Sequence, residues 1–200
     1  MLKAKDFRQR AWNHLKGNWT AAVLTYLIMS VILSAISFTG IGTLLVSGPL
    51  VVGYSLLMLN IARGNNPKIE NLFEGFEEFV RAFVLWITNE LLIALWSLLF
   101  IIPGIIKTLS YSMSYYILLD NPEMSANEAR KRSMQMMDGN KWRLFCLNFS
   151  FIGWILLSFL TFGILLFWVA PYMEAAKAEF YQSLLDNSDA PLNNEHPFEI

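Results

Sequence analysis

Trp19–Ser37 runs for 19 residues without one charged side chain. That is close to the roughly 20 residues a helix needs to cross the hydrocarbon of a bilayer. A cleaved signal peptide is the competing reading. The charged lead is too long for one, the run exceeds the usual ~7–15 apolar residues, and no A-x-A-like site follows. The stretch therefore reads as a retained transmembrane helix. Thr43–Ala62 reads as a second span after a short Gly-containing turn at Phe38–Gly42. Phe79 to Leu119 holds two more, and Trp142–Leu160 and Ile164–Leu185 are the last two, joined at Thr161-Phe162-Gly163. The turn between the third and fourth spans is poorly marked. The chain reverses either at Pro103-Gly104 or near Trp96-Ser97, with Pro103 then inside the fourth helix.

Composition agrees. The apolar fraction is 55%, the charged fraction 16% and the mean hydropathy +0.42, where a soluble domain carries about 25% charge. A net charge of -1 and the lack of a basic-aromatic patch leave no case for nucleic-acid binding. Cys146 is the one cysteine, so no disulfide framework or zinc spacing exists. His14 and His196 read as solvated surface residues.

Between the spans lie shorter amphipathic stretches. Residues 3–16 hold five of the fifteen basic residues, with Phe7, Ala11, Trp12 and Leu15 on one helical face. A basic helix lying on a membrane surface has this pattern. Asn66-Pro67 reads as the start of a second, acidic helix, with Ile69, Leu72, Phe73, Phe76, Phe79, Val80 and Phe83 on its apolar face. An anionic leaflet repels such a helix, so it is expected to pack on protein. Asn121-Pro122 reads as a third start, and Ser125-Ala126-Asn127-Glu128 is a capping-box pattern. The helix after it turns Ala126, Ala129, Ser133, Met136 and Met137 to one side and offers Arg130, Lys131 and Arg132 to headgroups or partners.

Trp96–Pro122, with Pro103 inside, ends at Asp120-Asn121-Pro122. Weaker copies surround Pro49 and Asn65-Asn66-Pro67, and Pro171 and Asp186-Asn187. Gly17 to Pro49 and Gly139 to Pro171 are both 32 residues apart, and Gly75 to Pro103 is 28. The expected fold is all-α: six transmembrane helices as three hairpins plus short cytoplasmic amphipathic helices. Residues 1–185 form a single transmembrane domain, with a threefold repeat of units near 3–66, 67–121 and 122–185. Residues 186–200 read as a disordered tail. Two spans per unit make the repeats parallel. Thirteen of the fifteen Lys and Arg then fall on one side, which places both termini in the cytoplasm by the positive-inside rule.

Charges within the spans are few, and each costs several kcal/mol at mid-membrane unless paired or wetted. Glu90, Lys107, Glu174 and Lys177 form the candidate intramembrane polar site, with Glu179 nearby in sequence. The plain structural reading is an interhelical ion pair, such as Glu90 with Lys107, plus snorkelling. The functional reading is a polar cavity on the bundle axis or a proton or ion relay. Pro49, Pro103 and Pro171 are each expected to free a carbonyl and kink a helix. The polar stripe Thr108, Ser110, Tyr111, Ser112, Ser114, Tyr115 and Tyr116 reads as interhelical hydrogen bonding rather than a path lining. Six tryptophans, Trp19, Trp86, Trp96, Trp142, Trp154 and Trp168, read as interface anchors or packing.

Catalytic signatures are missing. There is no G-x-S-x-G, H-E-x-x-H or Walker loop, and Cys146 has no histidine nearby in sequence. The expectation is a protein without enzymatic activity or cofactor.

Pro103-Gly104-Ile105-Ile106-Lys107, Ser110-Tyr111-Ser112, Asp120-Asn121-Pro122, Met136-Met137, Gly139, Lys141-Trp142 and Phe151-Ile152-Gly153-Trp154 recur in combination in one family. So do Leu15-Lys16-Gly17-Asn18-Trp19 and Gly48-Pro49-Leu50. On these residues the chain resembles the bacterial integral-membrane family known as domain of unknown function 975, over nearly its whole length up to Tyr181. The resemblance implies a multi-pass protein of the bacterial cell membrane. It implies no activity and carries over no site residues. The functional expectation is a non-enzymatic membrane component that binds lipid, or membrane or cytoplasmic proteins, through its cytoplasmic helices. The alternative is a small transporter or channel-like protein with an axial polar cavity near Glu90 and Lys107.

Overall fold

A computed structural model describes residues 2–37 and 40–189. Among these every regular element is helical, as the apolar runs require: inside hydrocarbon a chain must bond its own backbone. The helices are α1 (Ala4–Leu15), α2 (Trp19–Ile36), α3 (Ile41–Ala62), α4 (Asn71–Glu74), α5 (Phe79–Leu99), α6 (Ile101–Tyr111), α7 (Ser114–Asp120), α8 (Ala126–Met136), α9 (Lys141–Phe149), α10 (Ile152–Leu160) and α11 (Leu166–Asp189). The tail expected from residue 186 continues α11 to Asp189, and from 190 it lies outside the described residues. So do Phe38 and Thr39 of the first expected turn.

Four stretches are long and apolar enough to cross a membrane: Trp19–Ile36, Gly42–Ala62, Phe79–Leu98 and Lys141–Leu160. The first, third and fourth have only 11%, 17% and 22% of their residues buried, whereas Gly42–Ala62 has 67%. Thus α3 is an inner helix, and α2, α5 and α9–α10 offer apolar side chains outward. Beside α3 lie α7, whose Ser114, Tyr116, Ile117 and Leu118 are buried, and α11, with Ala175, Ala176, Ala178 and Phe180 buried. The Tyr116 and Tyr181 rings stack at 5.2 Å between them.

The segments expected to be the third and fourth spans meet at Phe100, an extended residue (φ -158, ψ 142) between α5 and α6. The reversal therefore lies between the two positions the sequence offered. Gly104 sits so near Ser97 that a β-carbon there would strike its side chain. Pro103 stands in the first turn of α6, where the backbone N–H has no intrahelical partner anyway. It frees no carbonyl, contrary to expectation. Pro49 and Pro171 do lie within helices, α3 and α11.

Two apolar runs are broken, and each break is satisfied by protein. Between α6 and α7, the Met113 N–H donates to Ser133 Oγ (3.2 Å), and that hydroxyl donates to the Ser110 carbonyl (2.7 Å). Between α9 and α10, the Ser150 carbonyl accepts from the Arg8 guanidinium at 2.9 Å.

The amphipathic elements dock on the bundle. Helix α1 buries Phe7, Ala11 and Leu15, and the Phe7 ring meets Phe180 of α11 edge-on at 5.2 Å. Its apolar stripe thus faces protein, where a membrane surface was expected. Trp12, 45% exposed, is the part left outside. The acidic helix expected from Pro67 is only the four residues of α4, followed by turns. Gly53 of α3 and Gly75 explain this. A β-carbon on Gly53 would strike the Leu72 carbonyl, and one on Gly75 the Pro49 carbonyl. Close main-chain packing fixes the segment against α3, with Asn71 and Leu72 buried. Helix α8 begins with the expected capping box: the Glu128 N–H donates to Ser125 Oγ, and the Ser125 N–H to the Glu128 carboxylate. Its N-cap is Ser125, not Asn121. Ala126, Ala129, Ser133 and Met137 are buried as anticipated.

Candidate functional site

Glu174 and Lys177 lie one turn apart on α11, just past Pro171, and pair at 2.9 Å. Both are partly buried, with side chains 33% and 26% exposed. They stand beside a cavity of about 320 Å³ between α2, α3, α7 and α11, whose wall includes Tyr26, Tyr54, Ser55, Ser112, Tyr115 and Tyr116. The hydroxyls of Tyr54 and Tyr116 are enclosed there without a completed hydrogen bond. On the other side of the pair is a second hollow of about 400 Å³, formed with Phe145, Asn148, Phe149, Ile152 and Ile155. Met173, Glu174 and Lys177 line both.

The other half of the expected polar site lies elsewhere. Glu90 is exposed on α5 and makes no ion pair with Lys107. The Lys107 ammonium sits over the rings of Trp96 (5.2 Å) and Tyr111 (5.8 Å). The tight turn at Phe100 accounts for this. It folds Lys107 back onto Trp96 of its own hairpin, where the cation finds a π-face instead of a carboxylate. Asn89, beside Glu90, points inward and donates to Ser114 Oγ at 2.9 Å. The polar stripe divides in the same way. The Ser114 hydroxyl takes the interhelical bond from Asn89, the Ser110 hydroxyl donates to the Ile106 carbonyl of its own helix, and Ser112, Tyr115 and Tyr116 face the cavity.

Arg130, Lys131 and Arg132 follow one another on α8. Arg130 is half-buried and bonds Asn127, whereas Lys131 and Arg132 are exposed. Glu128, on the same helix, has its carboxyl held below the ordinary value, chiefly by the Ser125 hydroxyl.

Three polar contacts at this end were not anticipated. Asp120 takes both N–H groups of Arg63 and the Tyr181 hydroxyl (2.9 Å), joining the ends of α3 and α7 to α11. The Arg81 guanidinium donates to the carbonyls of Asn121 (2.9 Å) and Met124 (2.7 Å). His14 pairs with Glu179, which is buried on α11. The clue to the first was each unit's ending on a polar boundary. Nothing local pairs residues 57 or 165 positions apart.

Four tryptophans, Trp12, Trp19, Trp154 and Trp168, with Tyr172, line an apolar hollow of about 380 Å³ beside α1. Among the described residues no cluster of His, Cys, Asp and Glu is arranged to hold a metal ion.

No curated protein and no solved structure matches the chain. A family model does match, over residues 1–110 and 98–188. Together with the four apolar helices this confirms the resemblance read from the motifs, and the chain belongs to the protein family of unknown function DUF975.

Proposed function

We propose that this chain is a non-enzymatic component of the cell membrane, crossing it six times with both termini in the cytoplasm. On this reading it engages anionic lipid or protein partners through its basic end. The observation that carries the reading is the exposure of Lys131 and Arg132 on a helix otherwise docked into the bundle. In the six-span arrangement, α6–α7 and α11 are the fourth and sixth crossings. The break after Tyr111 divides the fourth, and the charges of α11 make the sixth less apolar than the outer helices. A likeness between the first and third repeat units is supported by the two Gly-Asn junctions. Gly17 (φ 92) and Gly139 (φ 73) precede N-caps Asn18 (φ -114, ψ 4) and Asn140 (φ -105, ψ -7). Each of these Asn side chains donates to the carbonyl four residues back.

The experiment is proximity labelling and co-purification from native membranes, with a flux assay on the same preparation. Partner or anionic-lipid recovery that falls in Lys131→Glu/Arg132→Glu supports the reading. Undiminished recovery in that variant, or reporter tags showing either terminus outside, refutes it.

A small transporter is the second reading, favoured by the cavity beside α11. Its polar centre would then be Glu174 and Lys177, with Glu90 and Lys107 outside it. Substrate flux into liposomes that stops in Glu174→Gln would support this reading, and flux unchanged by that substitution would oppose it.

A further inference from the structure

We propose that the Glu174–Lys177 pair seats the headgroup of a zwitterionic, ammonium-bearing phospholipid that enters sideways between α9–α10 and α11. The inference goes beyond the basic end of the molecule and uses none of its residues. A carboxylate and an ammonium side by side carry no net charge. A simple cation or anion placed there would leave one of them opposed. A ligand bearing both signs satisfies each partner: its ammonium meets Glu174, and its phosphate meets Lys177.

The inner cavity adds what such a headgroup needs. Tyr54 is 5% exposed and its hydroxyl lacks a completed bond, while the buried Tyr116 hydroxyl faces the Glu174 carboxylate. Buried polar groups are rarely left as the Tyr54 hydroxyl is, and a phosphate oxygen would accept from it. The Tyr26 ring lies 6.0 Å from that of Tyr54, and aromatic faces beside a carboxylate attract an organic ammonium. The volume of about 320 Å³ is at the small end of ligand sites, ~300–1,000 Å³.

The outer hollow explains the route. It meets the inner cavity at Met173, Glu174 and Lys177, and its remaining wall is almost entirely apolar. Phe149 and Ile152 on that wall are exposed on the flank of the bundle. A lipid can leave its acyl chains along Phe149, Ile152 and Ile155 while the head reaches the ion pair.

The test is native mass spectrometry of the full chain released from detergent with equimolar phosphatidylethanolamine and phosphatidylglycerol. The expected result is a phosphatidylethanolamine adduct that falls about tenfold in Glu174→Gln, and that stands in about tenfold excess over phosphatidylglycerol once Lys131→Glu/Arg132→Glu has removed anionic-lipid binding at the basic end. Tyr54→Phe, which keeps the ring and removes only the hydroxyl, should lower it several-fold. Lys131→Glu/Arg132→Glu should leave it unchanged, which separates this site from the basic end. Equal adducts of the two lipids or a preference for phosphatidylglycerol in Lys131→Glu/Arg132→Glu, where the basic end no longer holds anionic lipid, or full retention of the phosphatidylethanolamine adduct in both Glu174→Gln and Tyr54→Phe, would overturn the proposal. Soluble glycerophosphoethanolamine displacing the lipid at equal concentration would overturn sideways entry.

Discussion

Arg63 and Asp120 face each other through two parallel N–H···O bonds, at 2.8 and 2.6 Å, across 57 residues of chain. The side chains are 34% and 21% exposed, so water screens the pair in part. Exposed pairs contribute about 0.2–1 kcal/mol. The fork geometry and the Tyr181 hydroxyl on the same carboxylate raise this one above that range. Asp120→Ala should cost about 1–3 kcal/mol, read as a lower melting temperature in detergent. Arg63→Lys should recover only part of the loss in Arg63→Ala, because an ammonium cannot fork. Equal melting of Asp120→Ala and the parent would refute the contact.

Gly53 and Gly75 hold the segment after α3 by main-chain approach. Gly53→Ala and Gly75→Ala should each destabilise by at least about 1–3 kcal/mol, the usual cost of overpacking. Limited proteolysis should show new cleavage between residues 64 and 78. A mutant as resistant as the parent would show that the chain can separate there without cost.

Ser133 bridges α8 to the break between α6 and α7. Ser133→Ala leaves the Met113 N–H and the Ser110 carbonyl without that partner in a buried place. The expected cost is about 1–3 kcal/mol, with faster hydrogen exchange through α8. Unchanged exchange in α8 would refute this.

Which of these features the sequence disclosed follows from how local each one is. The uncharged runs and the Ser125–Glu128 capping box depend on neighbours within a turn or two, and they were legible. The break at Met113 was not, because its reason is a serine 20 residues later. Nor was the shortness of α4. The apolar spacing from Ile69 to Phe83 suits a helix, and only the close backbone of α3 overrides it. Helix α1 shows a third case. Phe7, Ala11 and Leu15 of its apolar face are buried and Trp12 is not, and period alone cannot tell a protein neighbour from lipid. Glu174 and Lys177 were singled out and do adjoin a cavity. Glu90 and Lys107 were paired by their scarcity of alternatives, and the turn at Phe100 sends each elsewhere.

The Glu128 carboxyl titrates below its ordinary value, chiefly because of the Ser125 hydroxyl. A depressed carboxyl contributes to stability above its unfolded value, about 4.3, and loses that contribution as pH falls through the folded value. The start of α8 should therefore keep this contribution through the ordinary carboxylate range and fray only at pH below it. In Ser125→Ala the Glu128 titration should move up toward the ordinary value. Side-chain carboxyl NMR checks both, and a titration unmoved by the substitution would deny the link.

The reversals between paired helices carry bare hydrocarbon. Leu98 is 86% exposed, Phe100 70%, Ile101 76%, Leu160 77% and Phe162 97%. No ionised group stands within residues 98–104 or 160–165. In the proposed six-span arrangement, a change of ionic strength on that side meets no charged side chain at these two reversals. On the proposed six-span reading, salt or titrant acting on the charged side chains reaches them from the opposite bath.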